Sequence, residues 1–295
     1  MALRYWAMIV GLGLIWGTSF AAHAVLLREV GPMSVSLLRM GSGALFVWVF
    51  LIATRTDVRV PLDQLGLLIL LAATNFAIPF SVFPIAQGQL ASGIAGIMNG
   101  LTPVAVVIIA HFWPGGEKAT LGKFIGVLIG FVGILFISLP AMTAGETSEF
   151  WALMFILLAP ISYGVSLNFM YRIKRVEPFV MVGYTLGLST LMLLPIALAM
   201  EGVPRMALTE SWIWLTWVGF VGTGFAFLGL YWLVPRVGGT NMSTATFVAP
   251  VTAILLGVLF LKEQLEIAHL VGIAAILVAM LVIDGRILKI FGRAA

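Results

Sequence analysis

Few side chains in this 295-residue sequence could do chemistry, and their placement narrows which chemistry. His23, His111 and His269 stand far apart and lack the short spacing of metal ligands. All twelve Asp and Glu fall in polar stretches or at the ends of apolar runs, so no deep carboxylate pair offers acid–base or metal work. A glycine-rich phosphate loop is absent, and no Ser–His–acid set assembles. There is no cysteine, hence no disulfide and no thiolate-held metal. No enzyme activity, cofactor or metal is expected. What remains is a chemistry of binding by amides, hydroxyls, one cation and aromatic faces set inside apolar runs. The polar members are Ser19, His23, Arg39, Asn75, Asn99, Thr102, Ser166, Asn168, Thr223, Thr244 and Thr246. The aromatic members are Trp16, Phe76, Phe80, Phe83, Tyr163, Phe227 and Tyr231.

The elements that position these groups are membrane helices. Hydrophobic residues make up 61% of the chain and charged residues 9%, against about 25% charged in an ordinary soluble domain. A bilayer crossing needs about 20 apolar residues. Ten such runs occur, near 6–27, 33–53, 65–86, 92–112, 121–139, 150–171, 178–200, 211–234, 239–261 and 266–284. The first is long enough to span, which argues against a cleaved signal peptide. Connections are short, so the chain reads as one integral membrane unit surrounded by lipid. Its net charge of +4 is no nucleic-acid signal, because the charges sit on loops. With the N-terminus inside, Arg4, Arg55, Arg59, Lys118, Lys123, Arg172, Lys174, Arg175, Arg236, Arg286, Lys289 and Arg293 are cytoplasmic. Only Arg28, Arg205 and Lys262 are then outside, and the bias places both termini in the cytoplasm.

The chain also contains itself twice. Trp16-Gly-Thr-Ser-Phe20 returns as Tyr163-Gly-Val-Ser-Leu167, and Gly17/Gly164, Ser19/Ser166, Arg28/Arg175 and Pro103/Pro250 all share an offset of 147 residues. Past the proline the offset is 146, pairing Glu117 with Glu263 and Gly126 with Gly272. Five spans per half force the second half to enter the membrane from the opposite side. The expected fold is therefore an all-α integral membrane protein, ten transmembrane helices arranged as two inverted five-helix repeats, 1–140 and 141–295, around a central cavity.

These residues resemble the drug/metabolite transporter superfamily, EamA type. The likeness rests on Trp16-Gly-Thr-Ser-Phe20, Arg39, and the paired blocks Ala95…Pro103…Glu117…Gly126 and Ala245…Pro250…Glu263…Gly272. It covers nearly the whole chain; the second half lacks an arginine matching Arg39. The resemblance implies a ten-helix exporter of small metabolites, with amino acids first, in a bacterial inner (plasma) membrane. Multidrug or nucleoside efflux is the alternative, and a membrane enzyme or receptor lies further off. A cationic-drug exporter would want a buried carboxylate, and none stands in a span.

The candidate substrate-binding set is Trp16, Ser19, His23, Arg39, Asn75, Phe76, Phe80, Asn99, Tyr163, Ser166, Thr223, Phe227, Tyr231 and Thr246. Each has a plainer reading. Serine and threonine can bond carbonyls one turn back, and aromatic stripes can simply pack. Trp16 and Tyr163 stand out because the repeat places them symmetrically near the midplane. Arg39 lies about six residues, or roughly 9 Å, from the outer end of its helix. It can bond helix-end carbonyls or Glu29, or attract a substrate carboxylate with His23 as a titrating neighbour. Pro79, Pro84, Pro103 and Pro250 are candidate hinges or static kinks. Gly122, Gly126 and Gly130 form a small-residue ridge on the fifth helix; it serves either packing inside the bundle or a homodimer.

Overall fold

The computed structural model describes residues 2–116, 118–144, 147–170, 172–237, 242 and 245–284. Among them the chain forms α1 (Leu3–Leu26), α2 (Pro32–Ala53), α3 (Leu62–Gln87), α4 (Ser92–Phe112), α5 (Leu121–Ala144), α6 (Thr147–Met170), α7 (Pro178–Glu201), α8 (Thr209–Val237), α9 (Ala245–Leu259) and α10 (Ile267–Asp284). Nine are long and apolar enough to cross a bilayer, and α9 is shorter. The sequence placed the start of α9 near 239, where the neighbouring residues lie outside the described set, as do Glu117, Thr244, Arg286, Lys289 and Arg293.

The packing follows the repeat. Helix α1 packs on α9 as α6 packs on α4, and α2 on α8 as α7 on α3. The pairs α2–α7, α4–α9 and α5–α10 map onto themselves. Exchanging the halves thus regenerates the same neighbours, as a pseudo-two-fold requires.

Glycines allow the closest approaches. A Cβ on Gly17 would stand 2.6 Å from the Ala249 carbonyl oxygen, and one on Gly13 would stand 2.7 Å from that of Ala245, which fixes α1 against α9. Helices α5 and α10 meet through Gly126, Gly133 and Gly272. Of the ridge on α5, Gly126 faces Ala279 and Ile283 on α10, and Gly130 faces Val104 on α4. These two glycines are therefore spent on packing inside the bundle. The outer surface of α5 exposes Phe124, Leu128, Phe131 and Leu135, as suits a helix bathed in lipid.

Two helices widen into π-turns at matched places. The segment Ala73–Ala77 of α3 and the segment Trp217–Phe225 of α8 are both π-helical, and the first shifted by 147 falls inside the second. Pro79 follows the first segment, but α8 has no proline there. Glycine does that work instead: Gly219 packs on Ser42 and Gly224 on Phe46. Hydroxyls from neighbouring helices fill carbonyls that the irregular turns free. Ser162 donates to the Thr74 carbonyl (2.7 Å) and Ser189 to that of Ala72 (2.9 Å). Ser36 donates to the Phe80 carbonyl (2.8 Å), the acceptor that Pro84 cannot reach for want of an N–H. Of the symmetric prolines, Pro103 follows a true break at Gly100–Leu101, whereas α9 stays helical through Pro250.

Three carboxylates tie the repeats together at one end of the bundle. Glu201 accepts from the Met33 and Ser34 amides at the start of α2 (2.9 and 2.8 Å). Glu263 does the same for Ser92 and Gly93 at the start of α4 (2.6 and 3.0 Å). Glu29 takes the amides of Ala207 and Leu208. Carboxylates at helix N-termini satisfy orphan donors and meet the positive end of the dipole.

Candidate functional site

The polar residues singled out on α1, α2 and α8 converge. Ser19 and His23 lie one turn apart on the same face of α1, opposite Arg39 of α2. All three are buried, His23 completely. Arg39 Nε donates to Thr223 Oγ1 (3.0 Å), Nη1 to His23 Nε2 (2.9 Å) and Nη2 to Ser19 Oγ (3.2 Å). The π-segment positions Thr223, whose hydroxyl donates to the Val218 carbonyl five residues back (2.9 Å).

Donor arithmetic fixes the histidine. Guanidinium can only donate, so His23 Nε2 is the acceptor and the proton sits on Nδ1. Nδ1–H then donates to Gln87 Oε1 (2.9 Å), and Gln87 Nε2 donates to the Phe20 carbonyl (2.9 Å). A chain of bonds runs from the cation through His23 and Gln87 to the backbone of α1. Gln87, at the end of α3, was missed from sequence. Its repeat mate is Val234, so the duplication gave no hint; the signal was an uncharged amide at a span end facing His23. The Glu29 pairing considered for Arg39 does not occur, because that carboxylate is spent on the α7–α8 loop amides. Helix-end carbonyls are not its partners either.

Aromatic rings lie against this group. The Arg39 guanidinium stands 4.1 Å over the Phe80 ring. Phe80 contacts Phe76 (5.5 Å) and Phe227 (6.4 Å), Phe76 contacts Phe227 (4.7 Å), and Trp16 contacts Phe227 (5.8 Å). Four rings from α1, α3 and α8 thus form one cluster, and the repeat mates Phe80 and Phe227 meet within it. Tyr231 packs on the border of the same core, its hydroxyl 3.4 Å from Met170 Sδ.

On the other side of the pseudo-axis, the single Ser166 O–H is shared between Asn75 Oδ1 (3.1 Å) and the Tyr163 carbonyl (2.8 Å). Ser19 and Ser166 are repeat mates; one serves Arg39, the other Asn75. Tyr163 packs against both large hydrophobic cores. Asn99 closes the first part of α4, and its Oδ1 is buried without a hydrogen-bond partner. Its carbonyl, freed by Pro103, accepts from the Thr102 hydroxyl (2.7 Å). Thr246 lies half-buried in the first described turn of α9. Geometry therefore joins Trp16, Ser19, His23, Arg39, Phe76, Phe80, Thr223 and Phe227 directly. Asn75, Tyr163 and Ser166 form an adjoining group, while Asn99 and Tyr231 stand apart from the Arg39 bonds. Among the described residues no cluster of metal-binding side chains occurs.

The profile of the EamA-like transporter family matches the chain twice, over residues 4–139 and 150–284. The chain is 26% identical over 266 residues to the uncharacterized transporter YoaV of Bacillus subtilis (strain 168), covering 90% of this chain and 91% of that one. It is 25% identical over 283 residues to protein PecM of Dickeya dadantii (strain 3937), with 95% and 91% covered. A crystal structure of a protein at 17% identity superposes with a TM-score of 0.67 over 96% of this chain and 98% of the other, a likeness of fold.

Proposed function

The chain belongs to the EamA-like transporter family, and on that premise we propose that it exports small metabolites, amino acids first, across a bacterial inner membrane. Its two repeats, 1–140 and 141–295, alternate access to a pathway between them, and both termini are cytoplasmic. The chain is an integral membrane transporter; export, substrate and orientation are the parts proposed.

One observation carries the reading. Polar and aromatic groups from both repeats meet at depth: Arg39, His23, Ser19, Trp16, Phe76 and Phe80 from the first, Thr223 and Phe227 from the second. Buried polarity in lipid is expensive and marks pathways, and transporter sites lie where repeats face each other. The remaining members of the proposed substrate-binding set, Asn75, Asn99, Tyr163, Ser166, Tyr231 and Thr246, extend it toward α4, α6 and α9. Multidrug or nucleoside efflux is the second reading. The buried charge favours metabolites over cationic drugs, since a cationic drug would meet Arg39 and no deep carboxylate among the described residues.

Counterflow in proteoliposomes tests the proposal, with labelled amino acids, nucleosides and a cationic dye offered in parallel. Amino-acid exchange above protein-free vesicles is the expected result. Exchange confined to the dye or the nucleosides would replace the reading with the second one.

A further inference from the structure

We propose that Arg39 is the receptor for a carboxylate on the transported solute, so that the pathway reads an acidic group and not the amine beside it. The inference deepens the export reading and rests on it for the word transported. Its core, carboxylate binding at Arg39, stands on geometry.

Arg39 is buried to 4% exposure, yet its charge is not balanced. All three hydrogen-bond partners, His23, Ser19 and Thr223, are neutral, and the face of Phe80 lies against the guanidinium. Ion pairs among the described residues lie elsewhere, Arg59 with Asp57 and Arg175 with Asp63. Neutral acceptors offset only part of the cost of a desolvated cation; an anion completes it.

The donors left over have the right form. A guanidinium carries five N–H groups. One N–H on each of Nε, Nη1 and Nη2 is used, so Nη1 and Nη2 each keep one without a partner. Two N–H groups on neighbouring nitrogens are what a carboxylate accepts side by side. The existing network need not break as it arrives. The bonds to Thr223, His23 and Ser19 stay in place, because the carboxylate takes only the two unused N–H groups. Phe80 covers one face of the guanidinium, and its contacts with Phe76 and Phe227 put the apolar ring cluster next to the same group. A solute with an acidic group and an apolar body fits both parts. A solute that carries only a positive charge meets an uncompensated cation.

The test measures binding and flux separately. Purified protein is melted with a panel of L-amino acids, the matching amides, the matching acids without the amine, the matching amines without the acid, and sodium chloride. Acids with or without the amine should raise the melting temperature and bind at least about tenfold more tightly than the amides, the difference expected for a charge-assisted hydrogen-bonded pair. Amines and chloride should do nothing. Arg39→Gln should remove the preference for acid over amide. Arg39→Lys, which keeps the charge but loses the fork, should reduce it. Equal binding of acids and amides by the wild type would overturn the proposal without any variant. So would binding of no carboxylate in the panel, stabilisation by chloride alone, or an unchanged preference in Arg39→Lys. Counterflow of the bound acids then judges the export reading by itself: binding without flux refutes transport and leaves the Arg39 receptor standing.

Discussion

Arg39 Nη1 lies 2.9 Å from His23 Nε2, and this one contact sets the protonation of the whole buried network. The imidazole must be neutral with its proton on Nδ1, which makes Gln87 Oε1 an acceptor and turns the Gln87 amide toward the Phe20 carbonyl. A second proton on His23 would break the bond and set two cations side by side.

Replacing the acceptor should therefore cost more than the lost ring contacts. In His23→Phe the size is kept, but an Arg39 N–H and Gln87 Oε1 lose their partner. The expected destabilisation is about 1–3 kcal/mol, read from unfolding in mixed micelles. Adding Gln87→Leu should cost less than it does alone, with a coupling of about 0.5–3 kcal/mol. Strict additivity would mean that the chain of bonds is not a unit.

Ser36 and Pro84 offer a cleaner cycle. Ser36 fills the Phe80 carbonyl that Pro84 leaves open. Ser36→Ala should destabilise by about 0.6–1.7 kcal/mol, the range for hydrogen bonds between membrane helices. In a Pro84→Ala background the helix supplies its own N–H, and the same change should cost almost nothing. An undiminished cost there would show that Ser36 stabilises through its alternative bond to the Pro32 carbonyl.

Much of this arrangement was legible in the sequence, for definite reasons. Apolar runs report helices because lipid leaves the backbone no other partner, and the offset of 147 forecast that Phe80 and Phe227 would be equivalent. Arg39 and His23 could be put at one depth by counting along two helices. Which partners they chose could not be read, because Gln87 and Thr223 reach them through the end of α3 and a π-turn of α8. Pro79 hinted at an irregular α3, but its twin in α8 is built on glycines and carries no proline to give it away. Glu29 looked like the natural partner of Arg39 by charge alone; the free amides of Ala207 and Leu208 outbid it.

The seam between α5 and α10 should tolerate no added carbon. A Cβ on Gly133 would stand 2.6 Å from Ile276 Cγ1 and 3.0 Å from the Gly272 carbonyl oxygen. Gly133→Ala is expected to cost about 1–3 kcal/mol through overpacking. Gly11→Ala meets nothing within 4 Å and should be neutral or slightly stabilising in the same melting assay. Equal melting temperatures for the two would show that α5 and α10 can separate without loss.

Charge at the start of α4 should be worth a measurable amount. Glu263→Gln keeps an acceptor oxygen for the Ser92 and Gly93 amides but loses the negative charge and one of the two acceptor sites. A loss of about 0.5–2 kcal/mol follows from the value of helix N-caps. Glu263→Ala should cost at least as much. No change in either variant would mean that water replaces the carboxylate freely at this end of the bundle.

Trp16 separates a pathway from mere packing. Its ring contacts Phe227 at 5.8 Å and so joins the cluster that reaches Arg39 through Phe80. Trp151, by contrast, exposes 68% of its surface on the outside of α6. If solutes pass beside the ring cluster, Trp16→Ala should lower counterflow by about tenfold or more, equivalent to about 1.4 kcal/mol of lost transition-state stabilisation. Trp151→Ala should leave flux unchanged at equal reconstituted amounts. Phe227→Leu distinguishes the two roles of the cluster, since leucine keeps apolar volume but removes the ring that Trp16 contacts. Reduced flux with a normal melting temperature in both Trp16→Ala and Phe227→Leu places the rings on the pathway. Normal flux with a lowered melting temperature would assign them to the core and move the pathway toward Asn75, Tyr163 and Ser166.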